Sequence, residues 1–252
     1  MPVVDLHCDT GGSVPLWRFP GLDVPGLNIA VTGRRGGVSD GPYKALNLGT
    51  HVDDNPFAVA LNALMLSGVV DGDSVAFVRQ VHGRTVIDAD DITPDSEADA
   101  IVLRSGCGAA GIRVADCVPL AIIDPVQRVC VLVHAGWRGL AANIIEAAAE
   151  RIDTSSEQLI AVVGPSISGA AYQVGPEVIS EHSDFERHAQ PDLGDRYLLD
   201  LRGVTAQQLE RVGISAERQW ISRDVTDGGA TFFSDRAERP CGRFALIAKW
   251  ES

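Results

Sequence analysis

The chain has no Cys-x-x-Cys pair, no His-x-His pair, no basic run longer than Arg34-Arg35 and no long apolar stretch. Each absence excludes a class of protein. Without Cys-x-x-Cys, neither a zinc ribbon nor a thioredoxin-like dithiol is supported. With a formal net charge of −13 and only one adjacent basic pair, the chain repels nucleic acid and anionic membranes. An aliphatic run such as Val118 to Ile123 falls far short of the ~20 residues of a membrane-spanning helix. Met1 to Asp9 carries two acidic residues and no basic one, unlike the start of a secretory signal. The five cysteines are odd in number and irregular in spacing, which suits a reducing compartment. A cytoplasmic protein is expected.

There is also no internal repeat, low-complexity tract or linker. At 252 residues, with 45% hydrophobic and 22% charged residues, the chain can bury a substantial core. One domain spanning residues 1–252 is the simplest expectation. Helices alternate with runs of several strands, which points to a mixed α+β unit rather than a doubly wound sheet. Strands are expected at Val3–Leu6, Leu27–Val31, Val75–Val81, Thr85–Ala89, Ala100–Leu103, Ala109–Ala115, Leu120–Ile123, Val129–Val133, Leu159–Val163 and Phe244–Trp250. Their aliphatic character suggests burial on both faces. Asp124-Pro125 marks a hairpin turn. Asn55 and Pro56 open a helix whose buried face is expected at Val59, Leu61, Leu64, Met65 and Leu66. Further helices are expected at Leu140–Ile152, Pro176–His182 and Val204–Val212.

His82, Cys117 and His134 each stand where a strand-like run gives way to a turn. Two imidazoles and a thiolate suit zinc, and three protein ligands leave a fourth tetrahedral position for water or substrate. Metal binding would keep Cys117 ionised and both imidazoles neutral. Taken singly, each is better explained as a core histidine or a small apolar filler; the shared strand-end setting joins them. Asp116, beside Cys117, could orient a ligand or carry a proton, or serve only as a turn carboxylate. Asp5-Leu6-His7 has the form of an Asp-x-His metal pair, but a solvated N-terminal strand explains it better. His51, with Asp53 and Asp54, precedes a helix start. His182 and His188 read as surface residues. Gly164 to Gly169 lacks the Gly-Lys-Ser/Thr end of a phosphate loop.

The sequence closely resembles the YfiH or laccase-domain family, called multicopper polyphenol oxidase in older naming and purine nucleoside phosphorylase in newer naming. The matching stretches are Thr32 to Tyr43, Leu46-Asn47-Leu48-Gly49, Gln80-Val81-His82-Gly83, Ala98-Asp99-Ala100 and Ala115-Asp116-Cys117-Val118-Pro119. They continue with His134-Ala135-Gly136-Trp137-Arg138-Gly139, Gly164 to Ile167, Tyr172 to Val178 and Gly242 to Ala245. The resemblance implies a layered α/β/β/α sandwich with mixed sheets. It implies zinc on His82, Cys117 and His134. It also implies phosphorolysis of purine nucleosides (adenosine, inosine, methylthioadenosine) and deamination of adenosine, so the expected partners are a nucleoside and phosphate. The chain departs from the family pattern after His51-Val52, at Ala171, at Val225-Thr226 and at Asp235-Arg236-Ala237; the last two bear on substrate preference.

Phosphorolysis needs cationic or backbone donors for phosphate and a proton or Lewis acid for the leaving purine. Arg34 (or its neighbour Arg35) and Arg138, which lie in matched motifs, are the candidates for phosphate, with an exposed salt bridge as the alternative for each. Asn47 would hold a hydroxyl or a base edge, or cap its own turn. For deamination, Asp116 is the candidate proton carrier. Three rivals stand beside this reading. Copper oxidation of phenols needs many His ligands, and six His without a His-x-His pair are few. A metal-free Cys-His hydrolase, such as a peptidoglycan-precursor editing enzyme, would use Cys117 and His134. A binding module with a structural zinc needs a fourth protein ligand, and none stands out.

Overall fold

A computed structural model describes residues 2–68, 70, 74–153 and 156–251. Its frame is a pair of large sheets packed face to face. The first has seven strands in the order Val3–Val4, Gln219–Ser222, Ile160–Val163, Val118–Asp124, Val129–Ala135, Ala100–Arg104 and Val86–Asp88. The second has six, in the order His7–Asp9, Leu16–Arg18, Leu27–Thr32, Phe244–Trp250, Ala109–Val114 and Val75–Ala76. Both mix parallel and antiparallel pairs. A small antiparallel sheet joins Gln173–Val174, Tyr197–Leu199 and Ala189–Pro191.

The strand Val129–Ala135 shows how the layers are made. Successive side chains of a strand point to opposite faces. Val129, Val131, Val133 and Ala135 pack with Ile144, Ala148, Val204 and Leu209, the apolar stripes of the outer helices. Cys130 and Leu132 pack instead between the sheets, with Ile112, Phe244 and Leu246. With both faces buried, the strand reads as an unbroken aliphatic run. A further cluster, including Leu66, Ala245 and Ile247, buries the helix Pro56–Ser67 on the outer face of the second sheet. The layers are thus helix, sheet, sheet, helix, as expected from the resemblance. The same alternation places His134 on the side of Cys130 and Leu132, at the end of the strand.

The Asp124 hairpin is present: Val129 pairs with Asp124 and Ala135 with Val118. Asp124 Oδ1 accepts the amides of Val126 and Gln127 at 2.8 and 2.9 Å, the bonds that make an aspartate a turn residue. Asn55 caps its helix through the Phe57 amide, with Pro56 in the first turn. The buried face of that helix differs from expectation. Val59, Asn62 and Leu66 are buried, whereas Leu61 and Leu64 are 44% and 67% exposed. The helix expected over Leu140–Ile152 is two, Trp137–Ala141 and Ile144–Ala149, because Asn143 takes a left-handed φ of 60° between them. The segment expected over Pro176–His182 likewise divides into Pro176–Ile179 and Ser183–Arg187. The strand expected over Val75–Val81 ends at Ala76. Beyond it the side chain of Gln80, rather than its backbone, pairs with the Arg113 main chain, accepting from N at 2.9 Å and donating to O at 2.7 Å.

Candidate metal centre

Three separate segments bring His82, Cys117 and His134 together, with one ligand atom of each lying within 4.8 Å of the others. Cys117 Sγ stands 4.0 Å from His82 Nε2. The two imidazoles meet edge to face, with centroids 4.7 Å apart. His134 is buried, Cys117 half-buried and His82 exposed, so the cluster faces outward on one side.

One carboxylate organises the histidines. Asp99 is fully buried. Its Oδ1 accepts the His82 amide at 2.9 Å and the His134 Nδ1–H at 2.8 Å. Its Oδ2 accepts the Gly83 amide at 2.6 Å and the Val81 amide at 3.3 Å. The turn of His82 and the ring of His134 are therefore fixed by the same group. With Nδ1–H given to Asp99, the Nε2 lone pair of His134 is free for a ligand role. Burial raises the Asp99 carboxyl, but the His134 contact and the two turn amides outweigh it and hold it below the usual range. His82 and Asp116 have φ of 61° and 87°, conformations that non-glycine residues adopt rarely. Such backbone persists only where its surroundings over-determine it; the bonds of Asp99 and Asp116 do so here.

The electrostatics follow from this arrangement. Burial disfavours the Cys117 thiolate, yet His134 and His82 together bring the thiol down to about 6. Burial also disfavours a charged His134, but the Cys117 thiolate and Asp99 push it up to about 9. Each group thus favours the charged form of the other. A divalent cation would take the place of the His134 Nε2 proton. Zinc with bonds of ~2.3 Å to sulfur and ~2.0 Å to nitrogen sets tetrahedral donors roughly 3.3–3.6 Å apart, so the donor set fits after a small side-chain adjustment. Gly136 makes room for it. A Cβ there would stand 2.9 Å from Cys117 Sγ and 3.1 Å from His82 Cδ2.

The cluster opens into a cavity of about 690 Å3, also lined by His51, Tyr172 and five arginines: Arg113, Arg138, Arg236, Arg239 and Arg243. In a chain of net charge −13 this is a local inversion of sign. Burial first, then the thiolate of Cys117, pushes the Tyr172 phenol well above its ordinary range, so it remains a hydrogen-bond donor.

The structure divides the other expected site residues. Arg138 lines the cavity and stacks over Trp137 at 4.2 Å. Asp116 also lines it but is 7% exposed. Its Oδ1 accepts from Thr226 Oγ1 at 2.5 Å and Ser234 Oγ at 2.7 Å, and its Oδ2 from the Arg236 amide at 2.6 Å. Burial raises its carboxyl despite those bonds. With both oxygens engaged, Asp116 ties the segments of Thr226 and of Ser234–Arg236 to the Cys117 turn; this favours a positioning role over the proton carrier expected from sequence. Arg34 lies elsewhere. It grips Glu238 at 2.8 Å, stacks over Phe233 and borders a different cavity. Asn47 is fully buried, not at the cavity wall. Its Oδ1 accepts the Gly49 and Arg243 amides, both at 2.8 Å, and its Nδ2 donates to Asp54 at 2.8 Å. It braces the loop behind the cavity, the capping alternative for that residue. Among the weaker candidates, His182 caps the helix Ser183–Arg187 and His188 contacts Gln207 at 2.9 Å; neither lines this cavity.

Sequence reasoning assigned no role to Asp99, Arg113 or Tyr172. The signal for Arg113 was a lone charge inside an aliphatic strand. Asp99 and Tyr172 stood within matched motifs, but nothing in their spacing tied them to His82 or His134.

The chain matches known proteins in sequence and in fold. Residues 28–251 match the model of the multi-copper polyphenol oxidoreductase laccase family. A Pseudomonas aeruginosa protein named purine nucleoside phosphorylase is 33% identical over 237 residues, covering 92% of this chain and 97% of that protein. Purine nucleoside phosphorylase YfiH of Escherichia coli K12 is 32% identical over 238 residues, covering 92% and 96%. Among solved structures, Neisseria meningitidis protein NMB0706 superposes with a TM-score of 0.85 at 28% identity, covering 99% of this chain and all of that one. YlmD from Geobacillus stearothermophilus, at 24% identity and a TM-score of 0.86, shares the fold over 98% of this chain and 99% of its own.

Proposed function

The chain belongs to the multi-copper polyphenol oxidoreductase laccase family, and from that premise we propose that it cleaves purine nucleosides with phosphate at a zinc ion held by His82, Cys117 and His134. The observation that carries this reading is the meeting of a three-donor cluster with an arginine-lined cavity of about 690 Å3. The relatives named purine nucleoside phosphorylase support the reaction class. Adenosine, inosine and methylthioadenosine are the proposed substrates, yielding the free base with ribose 1-phosphate, or with 5-methylthioribose 1-phosphate in the case of methylthioadenosine. Zinc, when bound by these residues, would supply a Lewis acid beside the cavity.

The protein's own groups do the rest. The cavity arginines hold phosphate and offset its charge as the ribosyl carbon becomes cationic. Asp99 holds His134 in one orientation, and Asp116 holds the Cys117 turn. Tyr172 offers a donor to the substrate. Deamination of adenosine is proposed as a second activity of the same site; phosphorolysis is better supported, because anion-binding groups abound while Asp116 is fully engaged. Copper would also accept this donor set, but His82, Cys117 and His134 are the one such cluster among the described residues, too few for multicopper electron transfer. The proposed setting is the cytoplasm, for one domain spanning the chain: all five cysteines are free, and no helix of the described residues is long and apolar enough to cross a membrane.

Cys117, its thiol lowered by His134, and His134, held by Asp99, form a chain that also favours a metal-free Cys-His hydrolase. Turnover of adenosine with and without phosphate separates the readings. Adenine and ribose 1-phosphate appearing only with phosphate is the expected result. Absence of any free base, adenine or hypoxanthine, at any phosphate concentration would defeat the phosphorylase reading. A hydrolase of this kind would keep Cys117 open to alkylation in the presence of zinc, whereas a zinc ligand is shielded.

A further inference from the structure

We propose that Arg113, beside His51, forms a built subsite for a phosphate-type oxyanion, either orthophosphate or the phosphate of a nucleotide. This deepens the proposed function by assigning the anion to one arginine. It rests on that reading only for the anion's part in the reaction.

Arg113 lies in the strand Ala109–Val114, between Ile112 and Val114, which are buried between the sheets. Alternation turns Arg113 to the opposite face. There it is half-buried, with its guanidinium 4.8 Å from the Phe77 ring centroid. Its Nη1 donates to Leu48 O at 3.1 Å and Thr50 Oγ1 at 3.0 Å, and its Nη2 to Val78 O at 3.0 Å. All three acceptors are neutral. No carboxylate among the described residues forms an ion pair with it. One Nη2 hydrogen and the Nε–H are left, two neighbouring donors on a group that borders the cavity. Paired guanidinium donors are the usual bidentate match for a phosphate.

A partly buried cation without a counter-charge is costly. Burial alone brings the Arg113 guanidinium down to about 10, the mark of a charge short of a partner. The other cavity arginines are placed differently. Arg239 and Arg243 share Asp235. Arg138 and Arg236 are exposed and stack on Trp137 and Tyr172, where water hydrates them. Arg113 is the member of the set whose charge is neither paired nor well hydrated. His51 is held below its ordinary value by burial, then by Arg243, Arg113 and His82, with Asp235 opposing, so this corner of the cavity is electropositive. The site is also braced. Gln80 pins the Arg113 backbone, and Asn47 fixes the amides of Gly49 and Arg243 beside it, which is the support a binding group needs.

The test is arginine side-chain NMR on the 15N-labelled protein, titrated separately with orthophosphate, AMP and adenosine. The Arg113 Nε–H signal is assigned by its loss in Arg113→Lys. It is expected to move with orthophosphate or with AMP and to stay still with adenosine. Movement with orthophosphate identifies the co-substrate as the occupant; movement with AMP alone identifies a nucleotide phosphate. In Arg113→Gln the affinity for that anion is expected to fall about tenfold or more. Arg113→Lys, which keeps the charge but loses the paired donors, should fall between. Zinc content equal to wild type confirms folding, and the wild-type titration stands even if Arg113→Gln misfolds. A signal unmoved by both anions, or wild-type affinity in a folded Arg113→Gln, overturns the proposal. The readout is binding, so failure of phosphorolysis and failure of this subsite are told apart.

Discussion

Cys117→Ala is expected to release the metal and to lower phosphorolysis on the order of 10³-fold. Three donors bind the proposed ion. Removing the thiolate leaves two imidazoles, one of them exposed, and no other His, Cys, Asp or Glu among the described residues belongs to the cluster. The lost Lewis acidity sets the size of the effect: several kcal/mol of charge stabilisation corresponds to about a thousandfold in rate. The fold should persist, because Cys117 is half-buried at a turn and adds only to the edge of the core between the sheets, and the melting temperature should fall by no more than the lost metal binding accounts for. Metal content, phosphorolysis rate and melting temperature on the same sample check all three. Undiminished turnover in Cys117→Ala would remove the metal from the chemistry.

Gly136→Ala should lower both metal affinity and turnover about a hundredfold while leaving the fold intact. Gly136 has φ −80°, a conformation any residue adopts, so its backbone does not demand glycine. Space does. The added methyl would sit 2.9 Å from Cys117 Sγ and 3.1 Å from His82 Cδ2, inside van der Waals contact with two of the three donors. Cys117 or His82 must then turn away from the position shared with His134. Zinc affinity measured by competition with a chelator tests this directly; wild-type affinity would mean that the donors have slack the geometry does not show.

Much of the frame was legible because its central strands are buried on both faces. A strand such as Val129–Ala135 cannot hide an aliphatic run of that length anywhere else. The elements that escaped notice are short and carry polar or charged residues, as in Leu16–Arg18 and Gln219–Ser222; their pairing is set by neighbours distant in sequence. The break at Asn143 was illegible for another reason. Apolar spacing continues through it, and only the left-handed backbone of Asn143 divides the helix. At the site, residue type and strand-end position singled out His82, Cys117 and His134 before any geometry. The substrate residues were harder, since an arginine in a matched motif reads the same whether it faces a cavity or Glu238. Arg34 and Arg138 divide on that point. Asp99 was hidden because its importance lies in four contacts made by its two oxygens, none of them visible in spacing.

Zinc K-edge absorption on the purified protein, with metal content determined on the same sample, addresses the metal centre most directly. One zinc per chain is predicted, with a single sulfur at ~2.3 Å, two imidazole nitrogens at ~2.0 Å and a remaining light-atom ligand that changes when nucleoside or phosphate is added. Substoichiometric metal, a shell without sulfur, or a fourth protein ligand indifferent to substrate would contradict it.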